Sequence, residues 1–326
     1  MSNLRKWIIT GGSGYVGSHI ADEFIKSGMS VVIYDSQQQG LQARIEFLKN
    51  RHNTDVPYIM GDIRDVLAFS NVLETHKPYG IVHAAALKSV SESMLNEEEY
   101  FDVNFNGTSR ILESCKLHNV QNFIFSSTAA VYGSTKDAMP INENEETNPI
   151  SPYGASKLAA EKAVTDFLKL NGNHGTSLRY FNVVGTSAPQ LRDNSTENLV
   201  PIILDKLKNG QAPVIFGTDY GTRDGTCLRD YIDVRDLARA HRLAAESIRS
   251  LPYVLNVGSG VGGTVREVIN LVMRELGQST VEPVEALRRS GDAASVCADI
   301  SLILKKLEFK PEFSLQDSIK SLFMIE

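Results

Sequence analysis

The chain has 326 residues, 42% hydrophobic and 22% charged, enough apolar material for a large packed core and too little charge for a disordered chain. Its formal net charge of −6 excludes a general nucleic-acid or anionic-membrane binder, while leaving room for one anionic small molecule in a local pocket. No apolar run nears the roughly 18–20 residues of a membrane span, and Cys115, Cys227 and Cys297 stand far apart in no ligand spacing, so the chain reads as a reduced, cytoplasmic protein with no metal and no signal peptide.

From the N-terminus, short apolar strands alternate with helical segments. "KWIIT" leads into "YVGSHIADEFIKSG", "SVVIYD" into "LQARIEFLKNR", and "VPYIMGD" into "DVLAFSNVLETH". "GIVHAAA", a long helical stretch to about His118 and "NFIFSS" follow, and a helix from Pro152 with the strand "TSLRYFN" continues the pattern. This alternation predicts an α/β fold: a doubly wound parallel sheet of Rossmann type with helices on both faces. After Asn182 the rhythm breaks into polar, turn-rich segments with shorter elements, predicting a smaller mixed α/β C-terminal lobe. The expected division is 1–182 for the dinucleotide-binding domain and 183–326 for the substrate lobe, with about 229–258 returning to the first.

The first strand and helix are joined by "TGGSGYVGSH", which places Gly11, Gly14 and Gly17 in G-x-x-G-x-x-G spacing. Glycines there permit a tight turn, close approach of a diphosphate and close helix–strand packing, while the helix N-terminus supplies N–H donors. Taken alone the triplet also suits an ordinary tight turn. The second strand ends on Asp35, 18 residues past Gly17, near the spacing expected for a carboxylate on an adenosine ribose. No arginine directly follows it, which favours NAD over NADP. Asp62 and Ile63 of "GDIRD" end the third strand, where an adenine would lie, although Asp62 also suits a helix cap.

Further on, "SPYGASK" puts Tyr153 and Lys157 four residues apart on a helix whose start suits Ser151 as N-cap and Pro152 as first residue. Such a pair is also common on any solvated helix face.

With these residues assembled, the chain resembles the extended short-chain dehydrogenase/reductase family, and within it the UDP-glucose (UDP-galactose) 4-epimerases. The resemblance runs nearly end to end, through "TGGSGYVGSH", "HAAALKSVSES", "FSSTAAVYG", "SPYGASK", "LRYFNVVG", "IFGTDY", "DGTCLRDYIDV" and "RRSGDAASVCAD". It implies that Tyr153 is the acid/base, that Lys157 holds the nicotinamide ribose and lowers the tyrosine pKa, and that Thr128 supplies the hydroxyl bridging the sugar O4, where a serine is the usual bacterial choice. Ser127 is a second candidate donor to the sugar. The same resemblance implies NAD contacts from Tyr15, Val16, Ser36, Ala84, Ala85, Ala86, Lys88, Tyr180 and Phe181. Val103 replaces an asparagine of some relatives, leaving Asn104 as the candidate contact there. "SQQQG", after Asp35, departs from the family's more usual stretch. For a UDP-sugar substrate it implies Lys88, Asn182, Asn198, Leu199, the strand edge Val214, Ile215 and Phe216, and Arg229, Arg289 and Asp292. Guanidinium forks suit phosphate oxygens, although an arginine taken alone is more often a surface ion pair.

The implied reaction removes the 4-hydroxyl proton of a UDP-hexose, passes hydride to tightly held NAD, and returns it to the other face of a transient 4-keto sugar. Ala129 and Ala130 follow Thr128, so the extra acid required by the dehydrating relatives is missing. UDP-uronic acids remain an alternative substrate class, and a non-catalytic NAD-binding regulator an alternative role that the trio disfavours. Val296 stands where hexose-restricted members carry a bulky tyrosine, which implies room for the 2-acetamido group of UDP-GlcNAc and UDP-GalNAc. The family also implies a homodimer packed through helices near 95–118 and 152–170.

Overall fold

The computed structural model describes residues 5–36, 41–133, 140–170, 172–195, 198–289 and 292–324. Residues 37–40 of the glutamine-rich run after Asp35 and residues 290–291 of the C-terminal "RRSGD" motif lie outside them.

The first half alternates as its periodicity predicts: β1 (Lys6–Thr10), α1 (Tyr15–Lys26), β2 (Ser30–Asp35), α2 (Leu41–His52), β3 (Tyr58–Met60), α3 (Val66–His76) and β4 (Gly80–His83). The long helix expected up to His118 is instead broken. It runs as α4 (Val90–Ser93), α5 (Glu97–Phe101), a π-helical turn (Asp102–Gly107) and α6 (Thr108–Leu117). Then come β5 (Asn122–Thr128), α7 (Pro152–Leu168) and β6 (His174–Tyr180). The second half holds β7 (Asn182–Val184), α8 (Leu199–Lys208), β8 (Val214–Phe216), β9 (Leu228–Asp233), α9 (Val234–Glu246) and β10 (Val254–Val257). It closes with β11 (Gly262–Thr264), α10 (Val265–Glu275), β12 (Val284–Ala286), β13 (Ser295–Val296), α11 (Ser301–Leu307) and α12 (Leu315–Ser321).

Seven strands form one sheet in the order β3-β2-β1-β4-β5-β6-β10, every pairing parallel. Alternate side chains serve opposite faces, as a period of two requires. Trp7, Ile9, Val31, Ile33, Val82 and Ile124 enter the core under α1 and α9, while Ile8, Val32, Tyr34, Ile81, Phe123 and Phe125 enter the core under α3, α6 and α7. The strand order reverses between β1 and β4, and ligands of such sheets bind outside the carboxyl ends of the strands at that point.

The C-terminal lobe is built on a small sheet in which β9 is central, flanked by β7, β11 and β13, with β8 and β12 paired separately. Its own core packs α8 and α10 over Val184, Ile215, Tyr231 and Ile319. Segment 228–258 is shared: β9 stays in this small sheet, whereas β10 joins the edge of the large one beside β6. Among the described residues no helix is long and apolar enough to cross a membrane, and no cluster of three potential metal ligands occurs.

Candidate active site

At the reversal point the chain leaves β1 through the glycine loop. Gly11 sits at φ +68°, in the left-handed region where a side chain is strained, and a Cβ there would come within 2.6 Å of the Ala85 nitrogen. A Cβ on Gly17 would lie 2.1 Å from the Gly11 carbonyl oxygen, so the turn and the α1 backbone touch directly. Gly14 caps α1 with no side chain in front of the helix N-terminus. The Ala84–Ala86 segment leaves β4 beside the loop, its Ala84 N–H donating to the Thr10 carbonyl at 3.1 Å.

Asp35 ends β2 alongside, accepting the Ser13 N–H at 3.2 Å and the Ser13 hydroxyl. A backbone cradle with a carboxylate at its rim fits a dinucleotide with a free ribose diol. Arg44 approaches from α2, but it donates to the carbonyls of Ser13 and Arg192, at 2.8 and 2.7 Å. Its guanidinium is thus held on backbone rather than offered to a 2′-phosphate. Ser36 is exposed at the strand end. The Asp62 carboxylate is spent on Arg64 at 2.7 Å, which also binds Asp102 at 2.9 Å, and the guanidinium holds Asp62 below the usual carboxylate range. Ile63 is buried behind it.

Two of the expected cofactor contacts do structural work as well. The Tyr15 hydroxyl donates to the Gly185 carbonyl at 2.6 Å, tying the start of α1 to the C-terminal lobe. Phe181 packs in a cluster with Val131, Tyr132 and Leu158. Val16 lies partly buried against the sheet core.

Helix α7 starts as its sequence dictates, with the Ser151 hydroxyl accepting the Gly154 N–H at 3.1 Å and Pro152 in the first turn. Such a cap contributes about 1 kcal/mol. The helix packs against β5 and brings Tyr153 to its C-terminal end, near the Thr128 hydroxyl. Burial raises the Tyr153 pKa above that of an ordinary phenol, and the Thr128 hydroxyl works in the opposite direction. Lys157, one turn on, is 3% exposed, its ammonium 4.1 Å from the centre of the Phe125 ring. Burial pushes its pKa down to about 7, with Glu161 pulling it upward. Tyr180 stands at the end of neighbouring β6, close enough for its charge to couple to Tyr153.

Ser127 departs from its expected place beside the sugar. Successive residues of a strand face opposite ways, and Ser127, fully buried, donates to Glu161 at 2.6 Å. Asn104, inside the π-helical turn, is buried too. It accepts the Leu87 N–H at 2.8 Å and donates to the Leu87 carbonyl and the Ser156 hydroxyl, joining the Lys88 segment to α7. Lys88 reaches Asp193 at 3.6 Å, and Asp193 also accepts from Asn198 at 2.5 Å.

In the C-terminal lobe, Asn182 is exposed at the start of β7, and Asn198 precedes Leu199 at the start of α8. With Tyr15 and Asp193 these three line a cavity of about 830 Å³ between the lobes; Thr128, Tyr153 and Lys157 are not among its walls. Arg229 donates to the Leu228 and Ala293 carbonyls and lies 3.5 Å from Asp292. Val296 pairs with Arg229 between β13 and β9, and packs with Ala129 against the cluster around Phe181. Arg289 lies over the Phe216 ring at 3.9 Å. Val214 is half-buried, whereas Ile215 is fully buried in the lobe's core and presents no edge to a ligand.

Glu161, Arg179, Asp193, Ser13 and Arg44 join the site without having been picked out from the sequence. Glu161 carried a signal: Tyr153, Lys157 and Glu161 recur every four residues and share one helix face. So did Arg179, a charge inside a strand of a sheet covered by helices on both faces. Arg44, Asp193 and Ser13 meet their partners only through the tertiary fold.

The chain matches the NAD dependent epimerase/dehydratase family over residues 7–258. A UDP-glucose 4-epimerase from Halalkalibacterium halodurans is 38% identical over 94% of this chain and 90% of its own. Among solved structures, a UDP-glucose 4-epimerase from Stenotrophomonas maltophila with bound NAD and formylated UDP-arabinopyranose superposes with a TM-score of 0.91, at 35% identity, covering 98% of this chain and 97% of that one. The UDP-Glc/GlcNAc 4-epimerase from Campylobacter jejuni gives 0.85 at 33% identity, covering 98% of both.

Proposed function

The chain belongs to the NAD dependent epimerase/dehydratase family, and from that membership we propose that it is a UDP-hexose 4-epimerase. It interconverts UDP-glucose and UDP-galactose, and UDP-GlcNAc and UDP-GalNAc as well. The observation that carries this reading is the meeting of buried Tyr153 and Thr128 where α7 packs on the end of β5, with Lys157 one turn on and alanines next along the chain. Ala129 and Ala130 follow Thr128, so the extra acid that elimination at the sugar requires is not supplied there.

The glycine loop, Asp35 and Ala84–Ala86 hold NAD, and Lys157 and Asn104 serve its nicotinamide end. Bound NAD supplies reversible two-electron oxidation of the sugar carbinol together with a positive charge in the cleft. Tyr153 takes the 4-hydroxyl proton and later returns it, while Thr128 holds the oxygen in line. Burial alone keeps the phenol protonated. The Lys157 ammonium and the cofactor's charge both favour the phenolate and so oppose that burial.

The second lobe, from residue 183 onward, anchors UDP through Asn198, Leu199, Arg229 and Arg289, with Asn182 at its border, leaving the hexose free to turn about its diphosphate linkage. The position of Val296 beside Ala129 and Phe181 supports its reading as the wall met by the sugar's 2-substituent. The chain works in the cytoplasm as a homodimer. The exposed apolar side chains Met94, Leu95 and Leu117, on and beside α4 and α6, support this pairing.

The test is an epimerisation assay on purified protein with its bound NAD, using UDP-glucose, UDP-GlcNAc and UDP-glucuronic acid. Equilibration of the first two pairs is expected. Turnover of the uronic acid alone would transfer the reading to that class, and failure on every UDP-4-epimer pair would overturn it.

A further inference from the structure

Behind the candidate catalytic trio lies a fully buried polar network. Glu161 is 3% exposed and Arg179 is 6% exposed. Arg179 donates to Glu161 in a forked pair, Nη2 to Oε1 at 2.5 Å and Nε to Oε2 at 3.0 Å, and Ser127 donates to Oε2 at 2.6 Å. Arg179 Nη1 continues to the Tyr132 hydroxyl at 3.0 Å, which donates to Asn256 at 2.7 Å.

Every protein group that meets the Glu161 carboxylate is tied by the chain to the site. Ser127 is bonded to Thr128, Arg179 to Tyr180, and Glu161 itself lies one helical turn past Lys157. A buried ion pair contributes little net stability against apolar replacements of equal shape. The geometry is therefore better explained by what the network holds in place.

We propose that Glu161 is a positioning residue for the epimerisation. It clamps α7 to the ends of β5 and β6, so that Tyr153 meets Thr128, and it supplies the counter-charge for the Lys157 ammonium. This rests on the epimerase reading. Among the described residues, the other acids on the elements packed against α7 face solvent or are paired elsewhere: Glu97, Glu98, Glu99 and Glu113 are exposed, and Asp102 is bound by Arg64 at 2.9 Å. His83 on β4 is buried, with its pKa pushed to about 3, and is neutral. Tyr180 on β6 and Tyr100 on α5 are raised by burial and stay protonated, and Glu92 is engaged by the Tyr100 hydroxyl at 3.0 Å. Arg179 is positive, and Tyr153 is the group being served.

The sign follows. Glu161→Gln keeps the shape and removes the negative charge, so Lys157 loses its proton at lower pH. The alkaline fall of kcat should move down by about one pH unit, a roughly tenfold loss on that limb, with KM for UDP-glucose within about twofold of wild type. Glu161→Gln/Arg179→Met removes the stranded guanidinium charge; it should recover melting temperature without recovering the alkaline limb. Wild-type and variant kcat profiles from pH 6 to 10, with circular dichroism melts, decide the matter. Glu161→Gln decides where it folds, and the double variant where it does not. A shifted limb in the deciding variant supports the clamp and counter-charge, and an unshifted limb overturns it, whereas a wild type without turnover would overturn the epimerase reading instead.

Discussion

Tyr153, in the first turn of α7, is held beside Thr128 at the end of β5. The Thr128 hydroxyl opposes burial, which otherwise holds the phenol in its protonated form. Thr128 keeps the hydroxyl that a serine would bring but adds a methyl group that stiffens χ1. Its hydroxyl also accepts the Ala130 N–H at 3.2 Å, which fixes the rotamer from the backbone side.

Tyr153→Phe removes the phenol proposed to shuttle the sugar proton. Turnover should fall by about 10²–10⁴-fold, while NAD stays bound, because the glycine loop and Asp35 are untouched. Thr128→Val keeps shape and loses the hydroxyl, and should cost about 10–100-fold in kcat. Coupled assays for kcat and NAD content of the denatured protein measure both. Tyr153→Phe with substantial turnover would remove the tyrosine from its role.

Lys157 is a buried cation that the cofactor-free fold pushes toward neutrality, with its pKa near 7 rather than the 10.5 of a free side chain. Between those values the unfolded chain binds more protons than the folded one, so this group makes stability rise with pH across that window. Below about pH 7 its full desolvation penalty is present. Lys157→Met should therefore raise the melting temperature of cofactor-free protein at pH 6 more than at pH 10, while losing NAD retention and rate. An equal effect at both pH values would show that the ammonium is not buried as described.

Gly17 leaves no room for any side chain, since its Cβ would meet the Gly11 carbonyl oxygen at 2.1 Å. Gly17→Ala must displace either the loop or the start of α1, and both belong to the cradle for NAD. We expect purified Gly17→Ala to carry little NAD, judged by absorbance after denaturation, and to melt several degrees lower. Full occupancy would mean that the loop tolerates a shift the packing forbids.

Legibility followed the range of the interaction. The parallel sheet was readable because each strand carries its own apolar run, and "SPYGASK" because cap, proline and Tyr–Lys spacing are local. The break at Asp102–Gly107 was not readable, since that segment looks like continuous helix. Its π-helical turn accompanies Asn104 reaching back to Leu87 and across to Ser156. Ser127 and Thr128 are both hydroxyl residues at one strand end, and only the facing of the strand separates a ligand-side group from one buried against Glu161. Phe216 was an aromatic face in the sequence, yet Arg289 already lies on that ring.

Val296 turns the fold into a prediction of substrate breadth. It pairs with Arg229 between β13 and β9, and it packs, as Ala129 at the end of β5 does, against the cluster around Phe181. The wall is half-buried and small, and the next residues are anchored independently: buried Asp230 accepts the Ala298 N–H at 3.1 Å. A larger side chain at 296 therefore cannot relax by sliding the strand. Val296→Tyr should lose activity on UDP-GlcNAc by at least tenfold while keeping most of its activity on UDP-glucose, read as kcat/KM on each. The acetamido group needs the volume that the tyrosine ring takes, and a 2-hydroxyl does not. Equal losses on the two substrates would show that residue 296 supports the site's shape without selecting the sugar.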